Sequence, residues 1–312
     1  MGLEEPAALF AGRTVRNVRE KETMSKGLSL EMMTSKLFRA AVLGLLLILG
    51  SCRVGNGSEQ TGSAEGEGKS GAAAPAGGSG AKEAVSAEEG PRGVHTSPIA
   101  GTWYPGDPAR LRRLLEGYLA KAPPPDPEES ARLIAVIVPH AGYAYSASTA
   151  AYAYRMVQQR RPKRVLIMGP SHYTDFRGVS FGDYAAYETP LGRVPVDPAG
   201  REILLGCPLV SFQPQAHERE HSVDIQVPFL QVILPEATPS ILPLVVGRLE
   251  EEDYPELAGC LKRVLDNETV LVVSSDFTHY GPRFGYVPFP QEGRLAEKIR
   301  DLDQGACDQI LR

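Results

Sequence analysis

The strongest constraint in this 312-residue sequence is a recurring alternation of short apolar, β-branched runs with longer stretches of helical spacing. The runs are Leu133–Val138, Arg164–Met168, Ile241–Val246 and Val270–Ser274. They are continuous rather than alternating in polarity, as strands buried on both faces require. Between and before them lie helical patterns. In Pro108–Lys121, Leu111, Leu114, Leu115, Tyr118 and Leu119 share one face behind a turn at Pro105-Gly106-Asp107; Ser146–Gln159 and Glu251–Leu265 follow the same period. His221–Ile233 also has helical spacing, with Pro228 required at its start or at a kink. Val179–Ala186 and Gly192–Val196 read as hairpin strands near Pro190. The alternation predicts an α/β fold with a central, mostly parallel sheet flanked by helices.

In an open sheet of this kind, ligands bind beyond the C-terminal ends of the strands, where loops and helix N-termini converge. Three of the six histidines fall there: His140 after Val136-Ile137-Val138-Pro139, His172 after Gly169-Pro170-Ser171, and His279 after Ser274-Ser275-Asp276-Phe277-Thr278. A lone histidine in such a loop is usually an ordinary polar residue, but three at matching strand ends point to one shared site. Imidazole suits zinc, copper and iron, so the predicted site is one for a transition metal. Asp276, three residues before His279, is placed to orient that ring or raise its basicity; His279 is then a third ligand or a general acid/base. Tyr143, Tyr173 and Tyr280 each sit close to one of these histidines and are expected to line the pocket, although each taken alone reads better as an ordinary core or rim aromatic.

A competing motif is His217-Glu218-Arg219-Glu220-His221, which matches the H-E-x-x-H pattern of zinc hydrolases. That chemistry needs both histidines on one face of one helix. Phe212-Gln213-Pro214-Gln215 is loop-like and no third-ligand signature follows, so this reading ranks well below the strand-end site.

The first third of the chain has a different character. Lys36 and Arg39 precede an apolar run from Ala40 to Leu49, too short to span a bilayer as a helix, and then Leu49-Gly50-Ser51-Cys52. The four residues resemble the lipobox of bacterial lipoproteins, which implies cleavage before Cys52 and its acylation; a plain secretory signal or an uncleaved anchor is the alternative. Residues 33–51 are then the signal peptide, and residues 1–32 an upstream stretch before a true start at Met32 or Met33. Residues 52–93 are rich in Gly, Ala, Ser and Glu and are expected to form a disordered tether between a membrane and the folded domain, 94–312. The expected location is the bacterial cell envelope, facing the periplasm or the exterior. With a net charge of −5 and no basic stripe, nucleic acid is not an expected partner. Four cysteines without a C-x-x-C pair do not make a disulfide scaffold. In an oxidising compartment Cys207 and Cys260 can pair if the fold brings them together.

Several blocks together resemble the Memo-like family, whose bacterial and archaeal members are called AmmeMemoRadiSam system protein B. They are Ala100-Gly101-Thr102-Trp103-Tyr104-Pro105, Pro139-His140-Ala141-Gly142-Tyr143, Gly169-Pro170-Ser171-His172, Tyr187-Glu188-Thr189-Pro190-Leu191-Gly192, Glu220-His221-Ser222 and Ser274-Ser275-Asp276-Phe277-Thr278-His279-Tyr280-Gly281. The resemblance implies a fold similar to that of class III extradiol dioxygenases. It makes His140 and His172 the metal-binding pair, His279 the acid/base position, and His221 a neighbour of the pocket with no stated role. It further implies a cysteine as remaining ligand, expected beyond Arg312, and hence iron or copper as the metal. Asp224 departs from the family's usual glutamate. Three functions fit: a redox-active metal protein of unknown substrate, an extradiol-type iron dioxygenase, or a non-catalytic module that holds a small molecule or peptide.

Overall fold

The computed structural model describes residues 93–310. The predicted upstream stretch, signal peptide, Cys52 lipidation site and tether lie outside the described residues.

Four of the apolar runs form adjacent strands: β2 (Ala135–Val138), β3 (Arg164–Pro170), β8 (Ser240–Val246) and β9 (Thr269–Ser274). With β4 (Val179–Phe181) and β7 (Val210–Phe212) they make a six-stranded sheet of order β2-β9-β3-β8-β4-β7. β2, β9, β3 and β8 run parallel, while β4 meets β8 antiparallel and pairs in parallel with β7. β3 and β9 lie inside the sheet and their residues are buried almost throughout, which is why they carry Val, Leu, Ile and Met without a polar alternation. The predicted mostly parallel α/β sheet is thus present.

A second sheet has three strands, β1 (Val94–Thr96), β5 (Ala186–Thr189) and β6 (Gly192–Pro195), in the order β1-β5-β6. Here the sequence reading needs correction. The segment from Val179 is not one arm of the hairpin. Its first three residues join the main sheet as β4, and the hairpin is β5 with β6, turning at Pro190-Leu191.

The helices are α1 (Pro108–Lys121), α2 (Pro127–Ala131), α3 (Tyr143–Arg160), α4 (Pro198–Leu205), α5 (Gln215–Glu218), α6 (Val227–Ile233), α7 (Asp253–Lys262) and α8 (Leu295–Ile310). α1 starts where its sequence says it should. Asp107 accepts a hydrogen bond from Arg110 N at 2.7 Å, and Pro108 occupies the first turn, where a missing N–H costs nothing. Leu111, Leu115 and Leu119 form its buried stripe. α3 packs against α1, β2 and α6 through small residues, Ser146, Ala147, Ala150 and Ala151, which allow close approach, with Tyr143, Tyr154 and Val157 filling the spaces between. The segment predicted as one helix over His221–Ile233 is instead a loop, a 3-10 turn at Asp224–Gln226 and the short α6, with Pro228 in its first turn. All seven residues of α6 are buried. Cys207, just beyond α4, and Cys260 in α7 form a disulfide with a Cα–Cα distance of 5.9 Å. No helix among the described residues is long and apolar enough to cross a membrane.

Candidate metal centre

β2, β9 and β3 are neighbours in the sheet, so the loops leaving their C-terminal ends emerge side by side. His140 leaves β2 and His172 leaves β3, and their rings meet edge to face with centroids 5.2 Å apart. The third member of the group comes from another loop. His221 stacks on His172 at 4.3 Å and stands edge-on to His140 at 5.4 Å. The ligand atoms of His140, His172 and His221 all lie within 4.8 Å of one another. Small rotations suffice to bring three such nitrogens onto one ion with bonds of about 2.1 Å.

Each ring is oriented by its surroundings. Glu220 accepts from His172 Nδ1 at 2.8 Å and from the backbone N–H groups of His172, His221 and Ser222 at 2.7, 3.0 and 2.9 Å. Burial alone would raise this carboxyl, but the His172 ring and the backbone donors outweigh it and hold it at about 2. An ionised carboxylate can only accept, so His172 Nδ1 carries a proton and Nε2 is left for a ligand. This carboxylate–histidine pairing is the arrangement that orients metal-bound imidazoles generally. His140 Nδ1 lies 3.2 Å from Ser274 Oγ, while its backbone N–H donates to Asp276 at 2.7 Å. His221 Nδ1 is buried and has no hydrogen-bond partner. The nearest charged group to it is the Glu220 carboxylate, whose Oε1 lies 3.5 Å away, so Glu220 faces both the His172 and His221 rings.

Burial also keeps the His140 and His221 rings neutral. It lowers His221 to about 4, with the neighbouring His172 adding to the effect. It lowers His140 as well, only partly opposed by Asp276. Neutral imidazole is the metal-binding form, so the group is ready at neutral pH without proton release from these two rings. The residues present therefore fit a transition-metal ion.

Two loop contacts hold His221 in place. Its ring packs at a tilt on Trp103, with centroids 4.2 Å apart, and Trp103 is itself tied to the start of α3 by Tyr143 N–H donating to Trp103 O at 3.0 Å. Beneath it, Ser222 packs on Gly169 so closely that a Cβ there would collide with Ser222 Oγ and come within 2.7 Å of Ser222 Cβ.

The expected site residues outside this group fall in different places. His279 is at the end of β9 but does not join the three rings. It is 42% exposed, packs on Phe284 and faces Asp276 Oδ2 at 3.6 Å. Asp276 lies between the two, its Oδ2 also 3.8 Å from His140 Nε2. The predicted shared group of His140, His172 and His279 is therefore corrected: His221 holds the third position because the main-chain turn after Glu220 swings its ring over His172. Tyr143 is a core residue and not a pocket wall, its ring packed on Tyr104 and Phe229 and its hydroxyl donating to Ile225 O at 2.6 Å. Tyr173 stands at the outer rim, half exposed, 6.1 Å from the His221 ring with the Arg219 guanidinium over its face. Tyr280 stacks on Phe289 and donates to its carbonyl, away from the histidine group.

The H-E-x-x-H reading is overturned by the same geometry. His217 lies in the four-residue α5 and His221 in the following loop. His217 is closed on both nitrogens: Tyr187 Oη is 3.0 Å from Nδ1 and Ser180 Oγ is 3.0 Å from Nε2. Glu218 is exposed. Asp224, one turn beyond His221, is buried and hydrogen-bonded to His95 Nε2 at 2.9 Å, which fixes the β1 sheet against this loop.

Residues 96–312 match the family model described as Memo-like protein. The chain belongs to the Memo-like family. Among relatives, a MEMO1 family protein of Nitrosopumilus maritimus is 32% identical over 210 residues, covering 66% of this chain and 75% of that protein. One from Aquifex aeolicus is 36% identical over 193 residues, 61% of this chain and 68% of its own length. Protein MEMO1 of Xenopus laevis is 33% identical over 210 residues, 66% and 69% respectively. The matched region contains every residue of the histidine group, so the centre belongs to the Memo-like domain rather than to the N-terminal extension.

Proposed function

We propose that this Memo-like protein is a metal-binding protein of the cell envelope that holds iron or copper on His140, His172 and His221. The observation that carries the reading is the set of three imidazoles, two buried and one partly buried, whose ligand atoms all lie within 4.8 Å of one another. Three imidazole nitrogens suit iron, copper and zinc alike. Iron or copper, when bound, would supply redox chemistry. The chain's own residues supply the rest: Glu220 orients His172, Trp103 backs His221, and Asp276 with the solvent-facing His279 offers a route for a proton between the site's edge and water. That acid/base pair favours a catalytic reading, with a small-molecule substrate, over a purely structural ion.

The N-terminal features complete the proposal. Acylation at Cys52 would fix the protein to a membrane, and the Cys207–Cys260 disulfide supports an oxidising compartment, since such bonds persist outside the reducing cytosol.

The test is elemental analysis of the full chain purified without chelator, beside His140→Ala, His172→Ala and His221→Ala. Near-stoichiometric iron or copper in the wild type, lost in each variant, is expected. Zinc in the same place would keep the site and remove the redox role. A wild type that neither retains nor takes up any of these metals would end the proposal.

A further inference from the structure

His140 differs from His172 in having no carboxylate on its Nδ1. Its partner there is the hydroxyl of Ser274, which by itself could donate or accept and so could stabilise either tautomer. The surrounding hydrogen bonds remove that freedom. Ser274 Oγ lies in close contact with Ser222 O, a carbonyl that can only accept, so the single hydroxyl proton is committed to it. On another side of Ser274 stands the Gln226 side chain. Its Nε2 is 3.1 Å from Pro139 O and 2.9 Å from Ser274 Oγ, while its Oε1 accepts from Tyr154 Oη at 2.8 Å. Pro139 O is again acceptor-only, so this end of the amide is the nitrogen, and it spends a proton on Ser274 Oγ. With its proton given to Ser222 and one lone pair taken by Gln226, Ser274 can meet His140 only as an acceptor.

We infer that Ser274, held by Ser222 O and Gln226, locks His140 in the tautomer with the proton on Nδ1 and thereby presents a bare Nε2 to the metal group. This rests on the proposed metal-binding reading for its purpose, but the tautomer itself is a property of the chain alone. The arrangement explains three otherwise unconnected features. Ser274 is a buried polar residue at the end of an apolar strand. Gln226 is buried in the turn before α6. Pro139, immediately before His140, turns its carbonyl to the Gln226 amide. Ser274 and Gln226 are positioning residues: they act through His140.

The experiment reads the tautomer directly. The full chain, labelled with 15N-histidine and freed of metal, is examined by long-range proton–nitrogen correlation at neutral pH, and Co(II) alone is then titrated against a competing chelator. For wild type we expect His140 Nε2 in the bare-nitrogen range. Ser274→Ala should give a mixture of tautomers or the reverse one, and weaken Co(II) binding about 10–100-fold, the usual cost of removing an outer partner. Ser274→Thr, which keeps the hydroxyl, should restore both. A wild-type spectrum with the proton on Nε2 overturns the inference whether or not any variant folds, as does a folded Ser274→Ala with unchanged tautomer and affinity. A wild type with the expected tautomer that binds no Co(II) would support the lock while counting against the metal-binding reading.

Discussion

His217 and His221 are four residues apart, both buried and both lowered to about 4, yet they have opposite fates. His217 is satisfied on both sides. Ser180 Oγ is 3.1 Å from Gln213 O and donates to it, so His217 Nε2 must donate to Ser180, and Nδ1 accepts from Tyr187. Nothing is left for an ion. His221 retains an unpartnered nitrogen and faces two other rings. Identical residue types four apart in a recognised pattern thus separate into a structural histidine and a candidate ligand, a difference set by the folded neighbours of each ring. The closed network around His217 has a pH consequence. Burial depresses its folded-state value from 6.5 to about 4, so the unfolded chain binds more protons between those limits. Its contribution to stability is complete above about 6.5 and is lost as pH falls toward 4, on the order of 3 kcal/mol across that window. Urea midpoints measured from pH 4 to 7 should show this slope. His217→Gln, which does not titrate, should lower stability at pH 7 and flatten the slope; an unchanged slope would show that other groups set it. At Gly169 the issue is space. Gly169→Ala drives a methyl into Ser222, and overpacking of this kind costs about 1–3 kcal/mol. Because Ser222 follows His221, the same substitution should also weaken Co(II) uptake, whereas a loss of stability with unaltered metal affinity would separate Gly169 from the site.

At the scale of elements, the sequence was most legible where burial is uniform. β2, β3, β8 and β9 lie side by side in the sheet, and continuous β-branched runs leave little choice but a strand covered on both faces. α1 was legible to the residue because Asp107, Pro108 and the leucine stripe state its start and its face. Three-residue strands such as β1 and β7 carry too few side chains to show a period, and β4 was assigned to the wrong sheet because its partner β8 is distant in sequence. His140 and His172 could be placed by the rule that sites gather at strand ends. His221 could not, since its position depends on a loop shaped by Glu220's three backbone hydrogen bonds, none of which has a sequence period. The disulfide is likewise a contact between elements. It closes a separation of 53 residues and links the end of α4 to α7. Removing such a bond typically costs about 2–4 kcal/mol, so Cys207→Ala with Cys260→Ala should lower the thermal midpoint of the metal-free protein by several degrees. Addition of a strong reductant to wild type should reproduce the shift. A double variant that melts with wild type would mean that the pair adds nothing to the fold.

For the whole molecule, the question is how a metal-binding domain would be held at an envelope when its described part contains no membrane-crossing helix. The apolar run Ala40–Leu49 is about half the length needed to span a bilayer, so retention should depend on acyl chains at Cys52 rather than on the peptide. Two thiol-based measurements test the arrangement together. If Cys52 is acylated as proposed, it has no free thiol, and with Cys207 and Cys260 joined Cys307 is the single group left open to alkylation under denaturing, non-reducing conditions. Mass spectrometry of protein from the native host should therefore find one alkylated cysteine, or three after reduction. The second measurement is detergent phase separation. Wild type should enter the detergent phase and Cys52→Ser the aqueous phase, with the metal content of the two the same, since the anchor and the histidine group lie in separate parts of the chain. A Cys52→Ser protein that still partitions with detergent would place the anchor elsewhere. Free thiols at both Cys207 and Cys260 would instead assign the domain to a reducing compartment, and with it the metal supply that His140, His172 and His221 draw upon.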